Sequence, residues 1–300
     1  MFWLRARLAK ERFRCGICFL AAIELLTFSY GYLGFAAPNE VFPPAPVFDF
    51  LARQGNPAEF RIAKVGYPIP ANSGMFYGVE MAEGYDLPIE RTRLFTQGLT
   101  ENRDDGVFFL ADKIVETNDR RLDLMNLKYI VTSWPSPEFD RLVRRSDRFA
   151  VVYEEGAIAV FENKSVLPRA FVVPEQGVEV IPDPAAQLNR LKDVSFDPQK
   201  AVIVSRSPVE AAGGDEPFSG DVRLSESHNH ETVLQTRGSG PSILVLSQTY
   251  YSGWQATIDG REASVEPVDF ALSGVALPSG THEVRFVYRP ESFRLGALIR

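Results

Sequence analysis

The sequence predicts an α+β protein: one N-terminal transmembrane helix, a small α+β domain, and then a C-terminal antiparallel β-sandwich. Three observations carry this. A basic stretch runs directly into a long apolar one at the N-terminus. Helix-spaced and strand-spaced apolar patterns are mixed up to about residue 165. Beyond Phe196, the pattern is strand and turn almost throughout. The expected boundaries are 1–37 for the basic N-terminus and helix, 38–165 for the α+β domain and 166–293 for the sandwich. Residues 294–300 begin an apolar segment.

A chain of 300 residues suffices for about two domains, and 45% hydrophobic with 24% charged content describes a folding chain. The net charge of −7 argues against nucleic acid as a partner, because phosphate binding needs clustered Lys and Arg. Gly 22 and Pro 21 supply the many turns that short strands require.

The N-terminus carries Arg5, Arg7, Lys10, Arg12 and Arg14 against Glu11. From Cys15 to Ala37 the charge is Glu24 alone. About 20 apolar residues span a bilayer as a helix. The basic flank is expected to stay cytoplasmic, leaving the bulk of the chain outside the bacterial cytoplasmic membrane as a single-pass protein. Tyr30 and Tyr32 fall near the outer interface. The competing reading is a signal peptide cut after Ala36. Glu24 within the span is read as facing other helices or locally wet bilayer. Cys15 and Cys18 form a C-x-x-C at the membrane edge, where small polarizable residues are the expected reading rather than a redox pair. The rest of the chain has no cysteine, so the large domain uses no disulfide.

Pro46 suits a first helical turn, with Val47, Phe50 and Leu51 on one stripe and Gly55 ending it. "FRIAKVGYP" reads as a strand and "ANSGMFYGVEMAEGYD" as a glycine-punctuated loop. "RLFTQGLT" and "VFFLADKIVETNDRRLDLMNL" read as mostly helical. "KYIVTSW" is a strand ended by Pro135, "PEFDRLVRRSDRF" a turn and short helix, and "AVVYEEGAIAVFEN" a hairpin. "PAAQLNRLKD" is a further helix. In the last strands, His282, Val284, Phe286 and Tyr288 share one face, and Trp254, Ala256 and Ile258 share another. Asp259-Gly260 and Pro278-Ser279-Gly280 are turn signals.

Chemistry-bearing clusters are sparse. His228 and His230 could point the same way from a strand, but Glu231 would face away, so a solvent-facing strand is expected rather than a metal site. With His282 the only other histidine, no His-based triad is supported. Asp104-Asp105 and Glu154-Glu155 read as solvated acids in turns. The sequon Asn163-Lys164-Ser165 is a weak pattern. The sequence has no P-loop or dinucleotide fingerprint, and no cofactor or metal is expected. Tyr250, Tyr251 and Trp254 remain. They could stack on sugar rings, or Trp254 could be a core side chain behind the bend at Gly253.

The stretch from Leu246 to Ile299 contains Tyr251, Gly253 and Trp254, then Asp259 and Gly260. Gly274, Val275, Leu277, Pro278, Gly280 and His282 follow, and then Tyr288, Pro290, Ser292 and Phe293. In this order they resemble the C-terminal extracytoplasmic region of YfhO-type bacterial membrane proteins. "NSGMFYGVEMAEGYD", "LDLMNLKYIVTS" and "LPRAFVV" extend the resemblance over about 38–300. It implies a relation to multi-spanning glycosyltransferases that take sugar from a polyprenyl-phosphate donor, some of them linked to glycosylation of envelope polymers such as lipoteichoic acid. Their catalytic acids lie in loops between early membrane helices, so no catalytic residue carries over. The resemblance implies a terminal fragment, a split gene or a truncated form of a larger protein.

The expected function is therefore a non-catalytic extracytoplasmic accessory portion of such a machine; the alternative is a stand-alone membrane-anchored carbohydrate-binding or envelope protein. Expected partners are the lipid bilayer, a polytopic membrane subunit or the missing membrane part, and an envelope glycan. Gly253, Asp259, Gly260, Pro278, Gly280, His282, Tyr288 and Pro290 are expected to be structural. Tyr250, Tyr251 and Trp254 are the candidate sugar contacts.

Overall fold

The computed structural model describes residues 2–32, 34, 37–85, 87–100, 109–110, 112–207 and 218–298. The chain divides into two compact units, Met1–Ala45 and Pro46–Arg300.

The first unit holds helix α1 (Phe2–Tyr32) and the single turn α2 (Pro38–Val41). The helix takes in the basic stretch as well as the apolar one, because Leu, Ala, Arg and Lys are all good helix formers. Its span Lys10–Tyr32 is 23 residues, roughly 35 Å at 1.5 Å per residue, long and apolar enough to cross a membrane. Phe19, Leu20, Leu25 and Phe28 stand exposed around it, as lipid-facing side chains do. Thr27 Oγ1 donates to Ile23 O at 2.7 Å, so this hydroxyl needs no water within the span. Cys15 and Cys18 are free thiols on this helix. Ala36, the alternative cleavage point, lies outside the described residues.

The second unit opens with α3 (Pro46–Ala52), which buries Val47, Phe48 and Leu51. Phe50 lies on its flank instead and stacks on Tyr153 at 4.8 Å. Strand β1 (Arg61–Val65) and the single turn α4 (Gly74–Tyr77) follow. The expected helical stretches shrink to α5 (Glu90–Phe95), a 3-10 turn at Asp112–Glu116 and the single turn α6 (Arg121–Leu124). Gly98 at φ 85° and Asn126 at φ 58° explain two of these stops, since neither conformation continues a helix. Next come β2 (Leu127–Ser133), α7 (Pro137–Arg144), β3 (Phe149–Glu155) and β4 (Ile158–Asn163). Ser136 caps α7 by accepting from Phe139 N at 3.0 Å. Glu154 and Glu155 end β3 rather than forming the turn, which falls on Gly156 and Ala157; both acids are exposed. These strands form a four-stranded sheet in the order β1-β2-β4-β3, with β1 parallel to β2.

The remaining elements are β5 (Ala170–Pro174), β6 (Val178–Val180), α8 (Pro184–Lys192), β7 (Val202–Val204), β8 (Gly220–His228), β9 (Glu231–Gly238) and β10 (Ser242–Thr249). After them come β11 (Trp254–Ile258), β12 (Arg261–Ala263), β13 (Glu266–Val268), β14 (Leu272–Leu277), β15 (Gly280–Tyr288) and helix α9 (Glu291–Leu298). They build a six-stranded sheet, β5-β10-β14-β13-β7-β6, and a five-stranded one, β12-β11-β15-β9-β8. Every pair in these two sheets is antiparallel except β6 with β7.

The six-stranded sheet is buried on both faces. Along β10, Ile243 and Val245 enter one core while Leu244 and Leu246 enter the other. Strands covered on both sides read as unbroken apolar runs, and "ILVL" is one. The first core also takes Ala63, Val65, Leu124 and Ile130 from the first sheet region, so it is continuous from β1 to β14. The second is the sandwich core, where Leu244, Leu246, Val275 and Leu277 meet Leu234, Ala256, Val284 and Phe286 of the five-stranded sheet. The fold is thus the α+β architecture with a C-terminal, essentially antiparallel sandwich.

The sequon residue Asn163 is 1% exposed and donates to Asp123 Oδ1 and Leu127 O at 2.8 and 3.0 Å. In the folded chain it cannot act as a glycan acceptor. Asp104 and Asp105 lie outside the described residues.

Candidate functional site

A cleft of about 1280 Å³ opens between the loop that follows β1 and the ends of the sandwich strands. One wall is the glycine-punctuated stretch 72–85. That stretch is pinned to β1 by Ile62 N donating to Glu80 O at 2.9 Å and Ala82 N donating to Ile62 O at 2.8 Å. Its far end is closed by Asn72 Oδ1, which accepts from Tyr85 N at 3.1 Å. A Cβ on Gly84 would sit 2.1 Å from that same oxygen, so only glycine lets the loop close.

The opposite wall is aromatic. Trp254 and Tyr288 pair across β11 and β15, with ring centroids 5.3 Å apart, and Tyr251 lies 6.5 Å from Tyr288. All three line the cleft. Tyr251 is 47% exposed, whereas Trp254 is half-buried and packs part of its ring on the sandwich core. Trp254 thus both packs on the sandwich core and lines the cleft. Tyr250 points elsewhere. Its ring lies under the Arg91 guanidinium, 5.7 Å away, and it is not among the cleft-lining residues.

The rest of the C-terminal motif forms the frame behind this wall. Asp259 (φ 50°) and Gly260 (φ 80°) make the tight turn between β11 and β12. The Asp259 carboxylate takes His282 Nδ1 at 2.7 Å and Glu283 N at 2.9 Å. The bond to His282, followed by the bond to the Glu283 amide, holds Asp259 below the usual carboxylate range. Pro278 and Gly280 flank the turn into β15. Gly253 has φ 109°, and a Cβ there would lie 3.0 Å from Tyr288 Cε2 and 3.1 Å from Pro290 Cα. Gly253→Ala is expected to cost about 1–3 kcal/mol, from strain plus overpacking, and to disturb the Trp254–Tyr288 pair. Thermal unfolding together with near-UV circular dichroism measures both effects.

The floor of the cleft is charged. Arg61 Nε is 3.2 Å from Glu80 Oε2, and its Nη1 donates to Met125 O at 2.9 Å and Ser247 Oγ at 3.1 Å. Arg169 Nη1 lies 2.9 Å from the same Glu80 oxygen, and Nη2 donates to Gln248 Oε1 at 3.1 Å. Burial, and then the neighbouring Arg169 cation, push Arg61 down to about 9 in spite of Glu80. Burial likewise pushes Arg169 down. Glu83 also lines the cleft, but its carboxylate accepts the backbone N–H of Lys64 and Leu110 at 2.6 and 2.9 Å.

His228 reaches the rim of the cleft, while His230 lies in the β8–β9 turn; both are exposed. Glu231 pairs with Arg285 instead. Among the described residues, no three His, Cys, Asp or Glu side chains are grouped to hold a metal ion. Flat aromatic faces opposite amide and guanidinium donors suit a ligand with apolar ring faces and polar edges, which describes a sugar. Sequence reasoning missed Arg61, Glu80, Arg169 and Gln248. The signal for three of them was that Glu80, Arg169 and Gln248 each fall inside a motif stretch.

Residues 220–300 match the family model of the bacterial membrane protein YfhO. The matched region contains β8 to α9 and all the motif residues from Tyr251 to Phe293, which bears out the YfhO-type resemblance there. The stretches 72–86, 122–133 and 167–173 lie outside it. No curated protein and no solved structure matches the chain. The apolar helix α1 and the match to a membrane-protein family together associate this chain with a membrane.

Proposed function

We propose that residues 46–300 are the extracytoplasmic accessory portion of a YfhO-like, glycosyltransferase-related membrane protein that acts in glycosylation of a cell-envelope polymer. In this reading the cleft holds a glycan of that polymer, and α1 anchors the chain in the bilayer. The basic residues before the span favour a cytoplasmic N-terminus. One observation carries the proposal. Two motif stretches far apart in sequence, 72–85 and 248–254, meet as the two walls of one cleft, and the second supplies an aromatic platform.

The test is binding of envelope saccharides to the full chain in detergent micelles, followed by calorimetry. Tyr251→Ala is expected to weaken binding by about tenfold or somewhat less, the range for losing one aromatic face. Tyr250→Ala, whose ring faces Arg91, should leave affinity unchanged. Absence of binding to every envelope saccharide would sink the proposal, as would equal affinities for Tyr251→Ala and the parent chain.

A further inference from the structure

Two guanidiniums share one carboxylate on the floor of the cleft, because the other lining carboxylate, Glu83, is taken up by the Lys64 and Leu110 amides. Arg61 and Arg169 converge on Glu80, and among the described residues no other carboxylate acts on either guanidinium. Glu80 engages Nε of Arg61 and both terminal nitrogens of Arg169. Among the described residues nothing accepts from Arg61 Nη2. Arg169 Nη1, although 2.9 Å from Glu80 Oε2, is buried without a hydrogen bond in good geometry. Both arginine side chains are largely buried, at 16% and 10% exposure, while Glu80 is 41% exposed. Planar guanidinium forks match the oxygens of phosphate and carboxylate groups, and a cation held in a partly dry cleft attracts an anion more strongly than one on the surface.

We infer that Arg61 and Arg169 form an oxyanion subsite, with Glu80 as its built-in counter-ion, and that the cleft selects a sugar bearing a phosphate or carboxylate group. The aromatic wall takes the ring, and the floor takes the charge. Glu80, the most exposed of the three, is the group an incoming anion displaces from the guanidiniums. The inference rests on the cleft being the glycan site.

The experiment titrates the full chain in micelles with glucose, glucose 1-phosphate and glucuronic acid, at low and high salt. At least one anionic probe is expected to bind about tenfold more tightly than glucose, with the advantage shrinking as salt rises. A gain for glucose 1-phosphate alone identifies a phosphate site, and a gain for glucuronic acid alone a carboxylate site. Arg61→Gln and Arg169→Gln should erase the advantage, read as the ratio of anionic-probe to glucose affinity within each variant. Both arginines also bond to the fold, so Glu80→Gln is the decisive variant. It should tighten anionic probes severalfold relative to glucose measured in the same variant. Weaker anion binding in Glu80→Gln overturns the inference. Glucose binding with no anionic advantage overturns it alone, and failure of all three probes overturns the glycan reading as well.

Discussion

Replacing Asp123 by alanine is expected to remove about 3–5 kcal/mol of stability. Asp123 is fully buried. Its Oδ1 accepts from Arg148 Nη2 and Asn163 Nδ2 at 2.8 Å and from Ser165 Oγ at 2.9 Å, and its Oδ2 lies 3.0 Å from Arg120 Nη1. Its backbone oxygen accepts from Leu167 N. This cluster ties α6 to the β3–β4 hairpin and to the approach of β5. Removing the carboxylate strands the Arg148 cation, which is 6% exposed, beside the backbone oxygens of Thr117 and Asp119. The cost is that of an uncompensated buried charge rather than of one lost hydrogen bond. Asp123→Asn should cost less than alanine, and adding Arg148→Met to Asp123→Ala should recover part of the loss. Denaturant unfolding of the full chain in micelles gives these values. A loss under about 1 kcal/mol for Asp123→Ala would show that the cluster is not a stabilising joint.

The second large effect is a dependence on pH. Asp269 sits between β13 and β14 at φ 45° and is fully buried. Its Oδ1 accepts from Ile203 N at 2.9 Å, while Oδ2 has no partner among the described residues. Burial raises its pKa from 3.8 to about 7. The Ile203 amide opposes the rise, and the negative charge of Glu179 adds slightly to it. The folded chain therefore holds a proton that the unfolded chain releases. The associated stability is complete below about pH 4, declines as pH climbs toward 7, and stays lost above that. At about 1.4 kcal/mol per pH unit, the total is on the order of 4 kcal/mol. Asp269→Asn should flatten the profile between pH 4 and 7 and make the chain more stable than the parent at pH 8. Unchanged slope in the variant would assign the dependence to other groups. Asp147, Asp193 and Asp259 are shifted the opposite way but are solvent-exposed, where such interactions contribute little.

The strands were legible because their patterns have physical causes that act locally. The alternation of Val284, Phe286 and Tyr288 required one covered face, and the turn at Asp259-Gly260 required residues that tolerate positive φ. The apolar run Ile243–Leu246 signalled burial, but not that its alternate residues serve two different cores. That depends on which sheets stack, which is a tertiary fact. The helical reading of 93–100 and 107–127 held only for short pieces, because good helix formers are interrupted by Gly98 and by Thr117-Asn118-Asp119; residues 107, 108 and 111 lie outside the described residues. Half of the cleft was visible as Tyr251 and Trp254, since aromatics near a glycine bend are conspicuous. The charged floor was not, because Arg61, Glu80 and Arg169 are far apart in sequence and individually look like surface charges. The weak sequon at Asn163 is part of a buried joint, which a three-residue surface-type motif does not reveal.

The measurement that tests the central claim most directly is amide hydrogen exchange of the full chain, with and without an envelope saccharide. A ligand held between the two walls predicts slowed exchange in 72–85 and 248–254 together, with the strands behind them unchanged. Protection confined to one of these segments, or located elsewhere in the chain, would contradict a cleft built from both.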